Sequence, residues 1–208
     1  MLVENETIIC TDCEYHLPKT GFEKVKENPV AKNFWGKVNL HAATAMYSFD
    51  KGEKLQKLLH ALKYRGEKEV GIKLGKLFAF ELKQSELYSD VDFIIPVPLH
   101  KKKIKLRGYN QSELIAQGIS EIWSKPVITD ALVRRVATAT QTRKTRFERW
   151  ENVDNVFEIK NKETVDGKHV LLIDDVITTG STIAACADAF AEINNCRVSV
   201  GAIAFAHS

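Results

Sequence analysis

Residues 170–183, with the sequence VLLIDDVITTGSTI, decide the fold of this chain. The apolar run from Val170 to Ile173 is too short for a helix and suits a strand that is buried on both faces of a parallel sheet. Asp174 and Asp175 follow at the point where that strand is expected to end. Small residues then lead into an apolar, alanine-rich segment from Ile183 to Ile193. The stretch therefore predicts a strand, a tight loop and the N-terminus of a helix.

The small residues between the predicted strand and helix suit a phosphate group. Backbone N–H groups, hydroxyl donors and the positive end of a helix dipole all favour an anion there. An ordinary capped helix is the alternative, because Ser and Thr are also common N-caps. That alternative leaves the adjacent carboxylates unexplained, since they repel each other unless they meet a cation or hydroxyl groups. We therefore predict a phosphate-sugar site formed by Asp174, Asp175, Thr178, Thr179, Gly180, Ser181 and Thr182.

The same stretch resembles the phosphoribosyl-pyrophosphate (PRPP) motif of type I phosphoribosyltransferases, a hydrophobic strand followed by acidic residues and a Thr/Gly/Ser loop. The resemblance implies an α/β fold with a mainly parallel sheet flanked by helices. It also implies that Asp174 and Asp175 are catalytic and hold the ribose 2′- and 3′-hydroxyls, while Thr178 to Thr182 wrap the 5′-phosphate. Mg²⁺ is the implied cofactor, because it prefers the oxygens of a phosphorylated substrate.

Length and composition limit the remaining possibilities. With 208 residues, 44% of them hydrophobic and 27% charged, the chain fits one α/β domain with a small appendage. A net charge of +3 is too mild to indicate a nucleic-acid-binding protein by itself. No apolar run approaches membrane-spanning length, and the N-terminus lacks a signal-peptide core, so we expect a cytoplasmic protein without membrane insertion.

The N-terminal segment differs from the rest of the chain. Residues 1–40 are polar and irregular, and we predict that they form a small appendage to a phosphoribosyltransferase-like domain over residues 41–208. Phe34 and Trp35 are the expected anchors of this appendage on the domain.

Cysteines suggest a partial metal site in the appendage. Cys10 and Cys13 form one CxxC pair, which is half of a zinc site, because Zn²⁺ takes four ligands. His16 is a candidate third ligand, whereas Cys186 and Cys196 fall inside the predicted core. Two reduced surface cysteines are an equally open interpretation, since a cytoplasmic chain keeps its thiols reduced.

The first part of the domain shows a strand followed by two helices. Residues 42–49 predict the strand, and helical spacing of apolar residues predicts helices over residues 53–64 and 67–82. Lys63 and Arg65 stand at the end of the first helix. They either complement the negative end of the helix dipole or face a substrate, and both interpretations stay open.

A basic segment follows the next predicted strand, Val91–Val97. Two prolines at its end favour an extended turn that brings the backbone to the same edge of the sheet as the acidic pair. Five cations follow within seven residues, at positions 101, 102, 103, 105 and 107. They form either a solvated basic loop or a set of charges for a pyrophosphate leaving group. Asn110 or Ser112 can cap the next helix, which is expected from Glu113 to Trp123.

Several segments together resemble the ComF family, phosphoribosyltransferase-like proteins associated with bacterial competence. The resemblance lies in residues 62–66 (LKYRG), 96–99 (PVPL), 107–114 (RGYNQSEL) and the PRPP stretch. It implies that the segment after Val97 occupies the position of the pyrophosphate loop. The implied pyrophosphate-binding residues are Val97, Pro98, Lys101, Lys102 and Arg107.

A second basic run over residues 134–150 lacks a convincing apolar period and predicts a mobile polar loop. By the same resemblance, Arg143, Lys144 and Arg146 belong to a flexible loop that closes over PRPP and excludes water. A surface loop that pairs with acidic neighbours is the alternative. Residues 153–159 and 197–205 are then predicted to form a short strand and a last, buried strand.

The resemblance implies a Mg²⁺-dependent transfer of a phosphoribosyl group from PRPP or a related phosphosugar. The acceptor stays open, because Thr178 stands where purine-salvage transferases have an acidic residue. The alternative function is a non-catalytic PRPP pocket or a single-stranded-DNA-binding module that works with DNA-uptake proteins. Tyr109 and Trp150 are too few aromatics to make a base-stacking platform obvious. An interaction scaffold that uses the appendage is a weaker third hypothesis.

Overall fold

Parallel strands form the centre of the fold. The computed structural model describes residues 8–49, 53–134 and 156–206. Within those ranges a four-stranded parallel sheet has the order β1 (Ala42–Ser48), β6 (Arg197–Phe205), β5 (His169–Ile177) and β2 (Phe93–Pro96). A separate antiparallel pair consists of β3 (Leu132–Arg134) and β4 (Phe157–Ile159). The mainly parallel sheet predicted from the sequence is confirmed.

Helices connect the strands and flank the sheet. In chain order they are α1 (Thr11–Tyr15), α2 (Pro29–Lys32), α3 (Glu53–His60), α4 (Lys68–Lys83), α5 (Lys101–Arg107), α6 (Gln111–Trp123), α7 (Lys162–Val165) and α8 (Ser181–Asp188). A π-helical turn, Ala61–Arg65, continues α3, and short 3₁₀ turns cover Phe22–Lys24 and Glu86–Tyr88. In the described ranges, every helix is too short or too polar to span a membrane.

Apolar side chains cover both faces of the sheet. Along β5, Leu171 and Ile173 belong to one buried cluster, and Val170 and Leu172 belong to another. This alternation is expected, because successive strand residues point to opposite faces. The first cluster includes apolar residues of α3, α4 and α6, and the second includes those of α2 and α8. The prediction of a strand buried on both faces is confirmed.

The acidic pair lies inside β5, whereas the sequence predicted that the strand would end before it. β5 pairs with β6 along its full length, as far as Ile177 opposite Phe205. β2 pairs with β5 only as far as Pro96 opposite Ile173. A proline has no N–H to offer a ladder, and a second proline follows two residues later, so β2 ends early. Beyond Ile173, one side of β5 therefore faces a notch, because the described strands place no neighbour there.

The basic segment after β2 forms helix α5, whereas the sequence analysis treated it as a loop. His100 caps the helix, since its Nδ1 accepts a hydrogen bond of 3.2 Å from the backbone N–H of Lys102. Gly108 then takes the left-handed conformation, with a φ of 81°, and ends the helix. These local signals outweigh the repulsion among the lysines, whose side chains are exposed.

The appendage packs on the domain through one of its two predicted anchors. Phe34 is buried in the second apolar cluster. The prediction for Trp35 is wrong, because this side chain is 59% exposed, and the ammonium of Lys32 lies 5.7 Å from the centroid of its ring. Asn28 adds a polar link, since its side-chain amide donates a hydrogen bond of 2.7 Å to the carbonyl of Ala43 in β1.

The amino edge of the sheet is held by a buried histidine. His169, the first residue of β5, is fully buried. Its Nδ1 lies 2.6 Å from a carboxylate oxygen of Asp90, and its Nε2 lies 2.8 Å from the hydroxyl of Ser199 in β6. Burial lowers the pKa of this imidazole below its usual value, which favours the neutral ring. Both ring nitrogens are thus satisfied by neighbouring chain segments.

Helices α4 and α6 touch backbone to backbone. An added Cβ on Gly75 would lie 2.2 Å from the carbonyl oxygen of Ile115, and one on Gly118 would lie 2.1 Å from that of Ile72. No side chain fits between backbones at such distances. The two glycines therefore set the position of α6, whose N-terminus lies at the notch beside β5.

We expect Gly75→Ala and Gly118→Ala each to lower the free energy of unfolding by about 1–3 kcal/mol, because overpacking costs that much. Alanine's better helix propensity, about 0.5–1 kcal/mol, offsets only part of this cost. Denaturant unfolding measures the change. Gly71→Ala is the matched control, since its added Cβ would meet only side-chain atoms, Leu114 Cβ and Leu62 Cδ1, each at 3.0 Å. Equal stability of all three variants would contradict the close helix contact.

Candidate functional site

Each carboxylate of the acidic pair has its own partner. Asp174 Oδ1 accepts a hydrogen bond of 2.9 Å from the hydroxyl of Ser112 and one of 2.8 Å from the backbone N–H of Asp175. Asp175 Oδ2 lies 3.0 Å from the ammonium of Lys63. The pair therefore meets both a hydroxyl donor and a cation, as the sequence analysis required of two adjacent acids.

The two carboxylates differ in their acidity. Loss of solvation and the negative charge of Asp175 raise the pKa of Asp174 to about 7. The hydrogen bonds from Ser112 and from the N–H of Asp175 act in the opposite direction, as does the charge of Lys63. Asp174 is therefore harder to ionise than an exposed aspartate.

The capping residue of α6 positions Ser112. Asn110 is the N-cap, and its side-chain oxygen accepts a hydrogen bond of 3.1 Å from the backbone N–H of Ser112. The amide of the same side chain donates a hydrogen bond of 3.0 Å to the carbonyl of Val97, directly after β2. One asparagine thus joins the end of β2 to the start of α6. The prediction that Asn110 can cap this helix is confirmed.

The π-helical turn brings Lys63 to the acidic pair. The hydroxyl of Tyr109 donates a hydrogen bond to the carbonyl of Leu62, and the guanidinium of Arg107 lies 5.3 Å from the centroid of the Tyr64 ring. Residues 62–64 are therefore held by the segment around Gly108. The four separate segments that resemble the ComF family meet around Asp174 and Asp175.

The predicted phosphate loop joins β5 to α8. Gly180 takes the left-handed conformation, with a φ of 73°, at the N-cap of α8. The hydroxyls of Thr179 and Ser181 lie 3.0 Å apart, and the side chains of Thr178 and Thr182 are exposed. The loop thus keeps its hydroxyl groups at the surface. Helix α8 ends at Asp188, within the alanine-rich segment that continues to Ile193.

The appendage contacts this loop directly, which the sequence analysis did not foresee. The side-chain amide of Asn33 donates a hydrogen bond of 3.4 Å to the carbonyl of Thr178, and the ammonium of Lys37 donates one of 3.2 Å to the carbonyl of Thr179. An added Cβ on Gly180 would lie 2.7 Å from the Asn33 amide nitrogen and 2.8 Å from the Phe34 ring. Polar residues in an irregular segment gave no signal for this contact.

The predicted pyrophosphate-binding residues differ in how far they are buried. Arg107 is half-buried, and its Nη1 donates a hydrogen bond of 2.8 Å to the side-chain oxygen of Gln111. Arg107 Nε and Gln111 Nε2 are buried donors that have no hydrogen-bond partner in the described part of the chain. Lys101 and Lys102 are exposed on α5. Lys101 lines a cavity of about 230 Å³ together with Pro98, Glu113 and Arg134.

Val97 offers little free backbone to a ligand. Its N–H donates a hydrogen bond of 2.9 Å to the carbonyl of Ile173, and its own carbonyl accepts a hydrogen bond from the Asn110 amide.

The predicted flexible-loop residues Arg143, Lys144 and Arg146 lie outside the described residues.

The cysteines of the appendage lie close to an acidic residue. Ligand atoms of Cys10, Cys13 and Asp12 all lie within 4.8 Å of one another. Cys10 Sγ accepts a hydrogen bond of 3.4 Å from the backbone N–H of Cys13. The interaction with Cys10 raises the pKa of the Cys13 thiol, and Asp12 pairs with Lys54 at 3.1 Å. Zn²⁺ at this position stays a prediction.

Comparison with known proteins gives consistent matches. The family model of the phosphoribosyl transferase domain matches residues 113–208. The DNA utilization protein YhgH of Shigella flexneri is 34% identical over 66% of this chain. Competence protein F of Haemophilus influenzae is 30% identical over 63% of it, and competence protein ComFC of Bacillus subtilis is 29% identical over 67%. The match spans 61%, 59% and 53% of the length of these three relatives.

The parallel sheet, its flanking helices and the matched family model define a type I phosphoribosyltransferase fold. The names of the relatives, which refer to competence and DNA utilization, then indicate a particular family within this class. The resemblance to the ComF family, which the sequence motifs suggested, is confirmed by these matches.

We expect Gly180→Ala to destabilise the protein more than Gly167→Ala. Both glycines have a positive φ, of 73° and 66°, so each variant bears the cost of about 1 kcal/mol for a left-handed alanine. Only the Cβ at position 180 meets Asn33 and Phe34, whereas that at position 167 has no atom within 4 Å. Overpacking should add about 1–3 kcal/mol at position 180. Equal unfolding free energies for the two variants would show that the appendage does not press on this loop.

Proposed function

We propose that this chain binds PRPP together with Mg²⁺ at the carboxyl edge of the sheet and transfers the phosphoribosyl group to an acceptor. The observation that carries the proposal is the shared notch of Asp174 and Asp175, which have a hydroxyl donor on one side and a cation on the other. A sugar diol and its bound metal ion offer the same two kinds of group. The nearby loop Thr178–Thr182 supplies exposed hydroxyls for the 5′-phosphate.

The contacts around the notch support a role for Arg107 toward the pyrophosphate. Its guanidinium lies over Tyr64, beside Lys63, and its Nε is a buried donor without a partner in the described ranges. A buried donor that is left unpaired costs free energy, and an anionic oxygen would satisfy it. Lys101 and Lys102 are exposed at the other end of α5 and would contribute mainly long-range attraction.

The donor set fits Mg²⁺, which takes oxygen ligands and keeps several of its waters. Asp174 and Asp175, together with the hydroxyl of Ser112, offer such oxygens and would hold the ion, which would offset the negative charge of the pyrophosphate. During transfer, positive charge develops on the ribose ring and negative charge on the departing pyrophosphate. Asp174 and Asp175 would stabilise the first charge and Arg107 the second, and loss of one such contact costs about 3–4 kcal/mol.

A second candidate function uses the same pocket without turnover. The names of the relatives refer to competence and DNA utilization. Helix α5 presents exposed lysines that could contact the phosphates of single-stranded DNA. In this case the chain would work with DNA-uptake proteins in the cytoplasm. Release of pyrophosphate from PRPP in the presence of nucleobase and amine acceptors supports the transferase, and binding without release supports the module.

We expect Asp174→Asn and Asp175→Asn each to weaken PRPP binding about 10- to 100-fold, because a hydrogen bond to a charged group is worth about 1.5–3 kcal/mol. Isothermal titration calorimetry with and without Mg²⁺ measures the change. Asp188→Asn, an exposed acid at the end of α8, is the control and should bind as the unmodified protein does. Unchanged affinity in both site variants would contradict the proposal.

The pH dependence of binding should shift in Ser112→Ala. Ligand and metal favour the ionised pair, so affinity should rise with pH through the Asp174 pKa of about 7. The Ser112 hydroxyl lowers this pKa, and its removal should raise it further. The affinity of the variant relative to the unmodified protein should therefore be lowest at acidic pH, below both pKa values, and should rise to equality in alkaline solution. The ratio of the two affinities is used because it cancels the titration of PRPP itself. An affinity ratio that does not change with pH would rule out this role of Ser112.

A further inference from the structure

The ion pair between Lys63 and Asp175 is a built part of the site rather than a surface contact. The Nζ–Oδ2 distance is 3.0 Å, and the side chains are only 22% and 12% exposed. Exposed pairs are weak because water screens them and the side chains lose freedom, and the screening is weaker for a pair that is partly withdrawn from solvent. Lys63 therefore offsets the charge of the acidic pair in the ligand-free protein.

The backbone around Lys63 is fixed on both sides. Leu62 is fully buried, and its carbonyl accepts the hydrogen bond from Tyr109. The Tyr64 ring lies against the Arg107 guanidinium. Between these anchors the chain forms a π-helical turn of five residues, Ala61–Arg65, which ends at Gly66 with a φ of 76°. Such wide turns are rare, and they occur often at functional sites. In a π-helical turn a side chain points in a different direction from the one it would have in a regular α-helix.

We propose that Lys63 is the resident cation of the acidic pair and makes the pair select a phosphorylated diol with its metal over a bare divalent ion. The ammonium occupies the place at Asp175 that a divalent ion would take. A bare ion would have to displace it and lose waters of its own, without replacing the contacts that the ammonium loses. The identity of the ligand rests on the proposed function, whereas the exclusion of bare cations does not.

A phosphorylated diol can replace every contact that opens. Its hydroxyls donate to the carboxylates, and its phosphate oxygens accept from the ammonium, which has three N–H donors and a flexible stem. Lys63 would then move from a carboxylate oxygen to an oxygen of the ligand without losing a charged partner. Lys63 is thus a specificity-determining residue that distinguishes the complete ligand from its metal ion alone.

The test uses Mn²⁺, a paramagnetic substitute for Mg²⁺, with the full chain and no PRPP. Electron paramagnetic resonance of free Mn²⁺ gives the dissociation constant. In Lys63→Met the affinity for Mn²⁺ should rise by roughly tenfold or more relative to the unmodified protein, since a charge that competes directly with the ion is removed. Lys63→Gln should behave in the same way, and Lys63→Arg, which keeps the charge, should stay close to the unmodified protein.

Lys76→Met is the matched control, because Lys76 pairs with Glu121 at 2.7 Å, far along the chain from the acidic pair. Its Mn²⁺ affinity should not change, and adding Asp175→Asn to Lys63→Met should abolish the gain. Mn²⁺ affinities of Lys63→Met and Lys63→Gln equal to that of the unmodified protein would overturn the proposal. If the unmodified protein fails to bind PRPP, the proposed function fails, while the comparison of Mn²⁺ affinities still decides the role of Lys63.

Discussion

Two carboxylates on consecutive residues need partners when water reaches them poorly, and this need organises the carboxyl edge of the sheet. The partners come from distant parts of the chain: Ser112 from the start of α6 and Lys63 from the turn after α3. Helix α6, which carries Ser112, packs against α4 where glycines allow the backbones to touch. The charge repulsion within β5 is thus relieved by the packing of helices on one face of the sheet. Stability of the scaffold and chemistry of the site depend on the same contacts.

The early end of β2 makes room for these partners. If β2 continued beside β5, its backbone would fill the space that Ser112 and the Asn110 cap now occupy. Pro96 and Pro98 prevent that continuation because neither can donate to a sheet ladder. β6 has no such interruption and supports β5 as far as Ile177. The difference in length between the two neighbours of β5 therefore places the acidic pair at an opening and still keeps its backbone extended.

Local signals made much of the fold and part of the site predictable. The apolar run before the acidic pair identified the central strand, and the cluster of hydroxyl residues identified the loop before α8, because each pattern has one dominant physical cause. The role of Asn110 followed from its fit as an N-cap. The mistakes came where two causes compete. The lysines at positions 101, 102, 103 and 105 suggested a solvated loop, yet capping by His100 and Gly108 gave a helix. Trp35 suggested an anchor, but the neighbouring Phe34 fills that place.

Contacts between distant segments were beyond the sequence. Lys63 was equally compatible with a helix dipole and a substrate, because helical periodicity does not reveal a π-helical turn or the direction in which it points a side chain. The contacts of Asn33 and Lys37 with the phosphate loop depend on how the appendage lies over Gly180, and polar residues in an irregular segment carry no period. Both findings concern cations or amides close to the proposed ligand.

The two ends of β5 show how the same kinds of residue serve different purposes. At the amino end, His169 is buried and both of its ring nitrogens are satisfied by Asp90 and Ser199, so the network is closed and stabilises the fold. At the carboxyl end, Arg107 Nε is a buried donor without a partner in the described ranges, and burial and the charge of Asp175 raise the pKa of Asp174. Unused hydrogen-bonding capacity costs stability unless a ligand supplies the missing groups. This contrast is the physical reason for assigning ligand binding to the carboxyl end of the strand.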